Sequence, residues 1–325
     1  MIARPSFFTF EQSARALWNR APAMLAVIAL CWSLAGCQSE PAGPATHTDD
    51  LGRAVEVPAP VGRVVTLAPN LTEIVFAAGA GDKLVGVTTA DDFPPAVDSL
   101  PAFSALPIDF EAITALEPDL VLATDQVNTP RDAETFGALD LPMYFFSFGS
   151  LRDVWASIRT TGDLLGTPKA AAAAVDSLQA TVEALRARTA SLAERPRVLV
   201  LIGDETLYSF GASSYVHTLV ELAGGQSLTA TLDTEAPVLS EEYVLTNEPD
   251  VIVGAFGADY DTSRLLALHP TWDVVPAIQN NRVYSLNPAL LLRPGPRLIQ
   301  GARQMAQSLH PDRFAAAPPD SVAIP

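Results

Sequence analysis

A twelve-residue phrase occurs twice in this chain, as Glu111-Ala-Ile-Thr-Ala-Leu-Glu-Pro-Asp-Leu-Val-Leu122 and, 131 residues later, as Glu242-Tyr-Val-Leu-Thr-Asn-Glu-Pro-Asp-Val-Ile-Val253. Each copy reads as a short helix, a Glu-Pro-Asp corner and an aliphatic run of the kind that forms a buried parallel strand. A repeat this long is one domain used twice, unlike the roughly 20–50-residue periods of solenoids. Two facing α/β lobes leave a ligand cleft between them.

The surrounding sequence extends this reading. Arg63-Val-Val-Thr-Leu-Ala68, Leu84-Val-Gly-Val-Thr88 and Met143-Tyr-Phe-Phe-Ser147 are strand-like in the first lobe, as are Arg197-Val-Leu-Val-Leu-Ile202 and Arg282-Val-Tyr-Ser-Leu286 in the second. Pro69-Asn70-Leu-Thr-Glu73 predicts a helix start capped by Asn70, with Glu73 at the capping-box position. A second-lobe helix from Tyr215 to Ala223 is expected to stop at Gly224-Gly225, and a last helix runs from about Pro296 to Leu309. Alternation of strands and helices at this spacing predicts parallel sheets covered on both faces. Between the lobes, residues 168–194 are Ala-rich and Gly-free. At about 1.5 Å per residue they predict one helix of roughly 40 Å, with Val175, Leu178, Val182 and Leu185 on its buried face.

The first residues read as a targeting segment. Arg4, Arg15 and Arg20 precede an apolar run, Ala23 to Ala35, which closes with Leu34-Ala35-Gly36-Cys37. This is the pattern of a lipoprotein signal cut before an acylated cysteine, and the run is shorter than the roughly 20 residues that span a bilayer. Cleavage would remove Cys31 and leave Cys37 alone, with no disulfide and no cysteine metal site. The expected organisation is therefore signal peptide 1–36, flexible tether 37–49, N-terminal lobe 50–167, connecting helix 168–194, C-terminal lobe 195–313 and disordered tail 314–325. The expected location is the periplasm or outer cell surface, anchored to a membrane through lipid. Without its first 36 residues the chain carries 17 basic and 36 acidic side chains, a formal −19. Such a surface repels nucleic acid.

Arg63-Val-Val-Thr-Leu-Ala-Pro-Asn-Leu-Thr-Glu73, Phe76-Ala-Ala-Gly-Ala-Gly81, Leu84-Val-Gly-Val87, Asp92-Phe-Pro-Pro95, both repeat units and Arg293-Pro-Gly-Pro-Arg297, in this order and spacing, resemble the substrate-binding proteins of ABC importers for vitamin B12, haem and iron-siderophores. The likeness covers about residues 50–313. It implies two Rossmann-like lobes with parallel sheets, joined by one long helix. It also implies a ligand in the cleft and a partner complex of a permease dimer with its ATPase subunits. In that family one glutamate on each lobe pairs with permease arginines, which places docking on Glu111 and Glu242. Read locally, Asp109 and Ser240 each cap a helix and put those same glutamates in its first turn, where the macrodipole favours them.

The Asp-Phe-Pro-Pro and Arg-Pro-Gly-Pro-Arg phrases look most like the cobalamin branch, with haem and ferric siderophores as alternative ligands. The positions at which that branch carries cleft aromatics fall near Ala90, Ala105 and Thr124. Phe93, Phe103, Tyr208, Phe210 and Tyr215 are the candidates to line the cleft instead, each weighed against a packing role. Arg293 and Arg297 suit either an anionic ligand or a salt bridge at the last helix. His47, His217, His269 and His310 lack ligand spacing, so no metal site and no resident cofactor is expected. Gly211-Ala-Ser-Ser214 is not a nucleophile elbow and no catalytic set is assigned; a surface hydrolase is the competing reading from another class.

Overall fold

In the computed structural model, the structure describes residues 43–314 other than Ala258. The signal segment, Cys37 and the tether up to residue 42 lie outside the described residues, as does the tail beyond Phe314. A first sheet has the order β5-β4-β3-β6-β7, from β3 (Val64–Thr66), β4 (Leu84–Thr88), β5 (Ala102–Phe103), β6 (Leu120–Thr124) and β7 (Met143–Phe146). A second has the order β11-β10-β8-β9, from β8 (Arg197–Leu201), β9 (Gln226–Ser227), β10 (Val251–Gly254) and β11 (Val283–Ser285). Every pairing within both sheets is parallel.

The repeat is visible atom by atom. In each copy the glutamate of Glu-Pro-Asp adopts a left-handed backbone, Glu117 at φ 45° and Glu248 at φ 40°. The aspartate then ties the corner to the neighbouring strand: Asp119 accepts from the amide of Arg63 at 2.8 Å, and Asp250 from the amide of Arg197 at 2.8 Å. Arg63 donates back to the Leu116 and Glu117 carbonyls, as Arg197 does to Asn247. The same local chemistry therefore fixes strand register in both lobes.

Successive strand residues face opposite sides, and here they enter different cores. Val64, Leu120 and Leu122 of the first sheet join Val198, Val200, Val251 and Val253 of the second in one continuous buried cluster. Their alternates form a private core in each lobe: Val65, Val121 and Ala123 with Phe136 and Phe145, and Leu199, Leu201 and Ile252 with Trp272. The shared core is bridged by the connecting helix α5. Preceding it are α1 (Pro69–Ala77), α2 (Phe110–Ala115), α3 (Pro130–Gly137) and α4 (Leu151–Leu164); α5 itself is Pro168–Ala190. It packs on α1 and α4 of the first lobe, and on α6 (Tyr215–Leu222) and the last helix of the second. Val175, Leu178, Val182 and Leu185 are all buried along it. At about 1.5–3 kcal/mol per buried aliphatic side chain, these four anchor both lobes to one rod.

The remaining helices are α7 (Glu241–Asn247), α8 (Ser263–Leu268), α9 (Pro276–Gln279), α10 (Ala289–Leu292) and α11 (Leu298–Leu309). Gly224, at φ +82°, ends α6 as its sequence suggests.

Four expectations are corrected. The connecting helix stops at Ala190, so at about 1.5 Å per residue it spans roughly 35 Å. The tether ends earlier than residue 49, because β1 (Ala45–Thr48) pairs antiparallel with β2 (Ala54–Val57), the Thr48 carbonyl accepts from the Tyr144 hydroxyl and Asp49 is buried. Phe314 belongs to the fold rather than to a tail: it is buried, with the Arg188 guanidinium 4.2 Å above its ring. Asn70 does not cap α1, whose N-cap is Ala68 with no side-chain cap; Asn70 lies inside the helix and reaches the Pro294 carbonyl.

Candidate functional site

Ligands in open α/β sheets bind beyond the carboxyl ends of the strands, and here a cavity of about 510 Å³ opens there between the lobes. The first lobe supplies Gln126, just past β6, and Phe148 and Gly149, just past β7. From the second come Ile202, past β8, then Ser209, Phe210, Ser213, Ser214, Tyr215, Glu235, Ala236 and Leu292.

Much of the polar lining is committed to the scaffold. Ser209 Oγ donates to the Val200 carbonyl at 2.7 Å, Ser214 Oγ accepts from the Val216 amide as the N-cap of α6, and Tyr215 Oη donates to the Leu291 carbonyl at 3.1 Å. Burial pushes the Tyr215 phenol above its ordinary range, so it stays a neutral donor. His217 sits under this wall, with Nε2 at 2.6 Å from the Gly211 carbonyl and Nδ1 at 2.8 Å from Ser227. Among the described lining residues, the polar side chains left for a ligand are Gln126, Ser213 and the carboxylate Glu235. Phe148, Phe210 and Tyr215 give the wall its apolar area.

Phe210 and Tyr215 line this cavity; the other four candidate contacts do not. Phe103 is a correction: it is buried in the private core of the first lobe, because β5 turns it toward Ile113 and Phe136 rather than toward the cleft. Tyr208 faces outward, 45% exposed, across an isolated bridge from Val238. Phe93 lies beneath the Arg297 guanidinium at 4.2 Å. Arg293 pairs with Asp92 through both terminal nitrogens. Gln126, Phe148, Gly149 and Glu235 escaped sequence reasoning, although the first three follow directly on strand ends that the sequence made visible.

Next to the cleft, the Arg293-Pro-Gly-Pro-Arg297 segment ties the lobes together. Arg297 Nη2 meets Glu73 Oε1 at 2.6 Å, with both side chains almost wholly buried. Glu73 is thus no capping residue but half of an inter-lobe ion pair. Burial, outweighing the bond to Arg297, pushes its carboxyl above the usual range. The Arg293–Asp92 pair beside it is more open. Both arginines are thereby neutralised by carboxylates of the first lobe rather than left free for a ligand.

Glu111 and Glu242 occupy equivalent places. Asp109 accepts from the Ala112 amide as N-cap of α2, Ser240 from the Tyr243 amide as N-cap of α7, and each glutamate stands two residues after its cap. Both are exposed and make no hydrogen bond or ion pair among the described residues. Their neighbour Glu241 differs. It faces His269 Nδ1 at 3.2 Å and accepts from Thr271 Oγ1 at 2.9 Å, contacts that hold its carboxyl below the usual range. A helix that precedes a parallel strand runs back along the sheet, so both glutamates lie at the strand carboxyl ends, the side on which the cleft opens.

Among the described residues no group of histidine, cysteine, aspartate and glutamate is arranged to hold a metal, and no helix is long and apolar enough to cross a membrane.

The sequence profile of the family described as Periplasmic binding protein matches residues 64–290. An ABC transporter substrate-binding lipoprotein of Bacillus subtilis, itself uncharacterised, is 29% identical over 282 residues, which is 83% of this chain and 87% of that one. The crystal structure of the periplasmic vitamin B12 binding protein of Vibrio cholerae superposes with a TM-score of 0.65 at 27% identity, over 79% of this chain and 99% of that one. A periplasmic heme-binding protein of Roseiflexus superposes with a TM-score of 0.68 at 26% identity, over 78% and 99%.

Proposed function

The chain belongs to the periplasmic binding protein family, and from that premise we propose that it captures a cobalamin in the cleft between its lobes and hands it to the permease dimer of an ABC importer. The observation that carries the ligand assignment is the charge of the cleft. Among the described residues that line the cavity the one carboxylate is Glu235 and none is basic, and the two nearby arginines are spent on Glu73 and Asp92. Haem propionates or an anionic ferric siderophore call for guanidinium partners. A corrin ring rimmed with neutral amides instead suits an apolar wall bearing Gln126 and Ser213. The protein works as a carrier and not a catalyst. Cys37 carries the lipid that holds it to the membrane outside the cytoplasm.

Titration with cyanocobalamin tests this reading. A dissociation constant at or below about 1 μM, near −8 kcal/mol, is expected, with weaker binding of hemin. No heat or spectral change with cobalamin alongside tight binding of hemin or a ferric siderophore would reassign the ligand. Turnover on a panel of esters and phosphates would return the competing hydrolase.

A further inference from the structure

Among the exposed large aliphatic side chains of the described residues, Leu106 and Val238 precede the two unpartnered glutamates, Glu111 and Glu242, by five and four residues in the chain. Leu106 is 73% exposed at the tip of a tight turn, three residues before Asp109, the cap of the Glu111 helix. That turn is rigid. The Ala105–Ile108 bridge closes it, Ser104 Oγ donates to the Pro107 carbonyl at 2.8 Å and the Asp109 amide to the Ser104 carbonyl at 2.9 Å. In the other lobe, Val238 is 58% exposed two residues before Ser240, the cap of the Glu242 helix. It is held against Tyr208, 45% exposed, by the Tyr208–Val238 bridge and the flanking Leu239–Leu207 and Ser209–Pro237 backbone bonds.

We propose that each lobe docks through a composite patch in which a carboxylate is flanked by a fixed apolar knob: Leu106 with Glu111, and Val238 with Tyr208 beside Glu242. The inference rests on the docking role of the glutamates and adds to it the chemistry of the partner surface. The partner is the permease pair, presenting two related sockets, each a basic group set in an apolar rim. A second copy of this chain is disfavoured by charge, since carboxylate would meet carboxylate on a protein of formal charge −17. The knobs do what the rim of a hot spot does, excluding water so that the central charge pair acts in a lower dielectric. Their consequence is binding that outlasts electrostatic screening.

The test uses the full chain and the cobalamin permease–ATPase complex of the same host in nanodiscs, at low salt and at about 1 M salt, where the Debye length is about 3 Å. Leu106→Ser combined with Val238→Ser is expected to weaken docking at least about tenfold (about 1.4 kcal/mol) and to remove the salt-resistant part. Melting temperature and cyanocobalamin affinity should stay unchanged. Leu106→Met with Val238→Ile keeps apolar area and should dock like the wild type, so a loss there would overturn the proposal. A serine double variant that docks within about twofold of wild type, while Glu111→Gln with Glu242→Gln does not dock, overturns the knobs and leaves the glutamates. Normal docking by the glutamine variant, or none by the wild type, overturns the docking role itself and the proposal with it.

Discussion

The two lobes are built on one frame but contribute unequally to the cleft. Their central strands, left-handed Glu-Pro-Asp corners and Arg-to-Asp register locks match, yet the first lobe supplies three cavity residues and the second nine. The frame is set by short-range chemistry that tolerates little change, because a carboxylate bound to a strand amide fixes register. The wall is set by the loops after the strands, which divergence rewrites freely. The second lobe also holds Glu241, the neighbour of Glu242, with His269 and Thr271, an arrangement without a counterpart around Glu111 among the described residues. Ligand choice should therefore live mainly in the second lobe, and docking equally in both.

The largest expected effect falls where the lobes join. Arg297→Ala leaves the buried Glu73 carboxylate without its partner and should cost about 3–5 kcal/mol of stability, read by urea denaturation. Arg293→Ala, whose partner Asp92 is largely in water, should cost under about 1 kcal/mol. Equal losses would mean that the two pairs are not distinguished by burial. Next comes the cleft: Phe210→Ala should remove about 1.5–3 kcal/mol of cobalamin affinity, whereas Gln126→Ala on the first-lobe wall should remove only about 0.5–1.5 kcal/mol. The reverse order in calorimetric titration would assign recognition to the first lobe. The smallest effects test the equivalence of α2 and α7. Asp109→Ala and Ser240→Ala should each lower stability by about 1 kcal/mol, and caps that differ by more than about twofold would show that the two helices are not interchangeable.

The frame was legible because it is written in local pattern: the repeat, the aliphatic strands, the Pro168 start of the connector and the two first-turn glutamates stand in their expected places, and only the connector's end falls short, at Ala190. The hairpin near the tether was not, since Ala45–Thr48 carries no alternation and is a strand through its pairing with β2 and the Tyr144–Thr48 bond. Helix α4 was missed despite a readable capping box, Ser150 with Asp153. Glu73 misled because a glutamate at a capping-box position and one that pairs with an arginine 224 residues away look identical in sequence. The cleft aromatics were only partly legible for the same reason: Tyr215 opens α6 and Phe103 ends β5, and only tertiary packing sends one to the cavity and the other to the core.

Uptake by cells carrying Glu111→Ala together with Glu242→Ala tests the account most directly. Loss of one partner of a desolvated charge pair typically costs about 2–5 kcal/mol, whereas loss of a first-turn glutamate costs under about 1 kcal/mol of stability. The double variant should therefore fold, melt and bind cobalamin like the wild type yet fail to support cobalamin import. Normal import by that variant, or a failure traced to unfolding or lost ligand affinity, would contradict the account and leave Glu111 and Glu242 as first-turn helix residues alone.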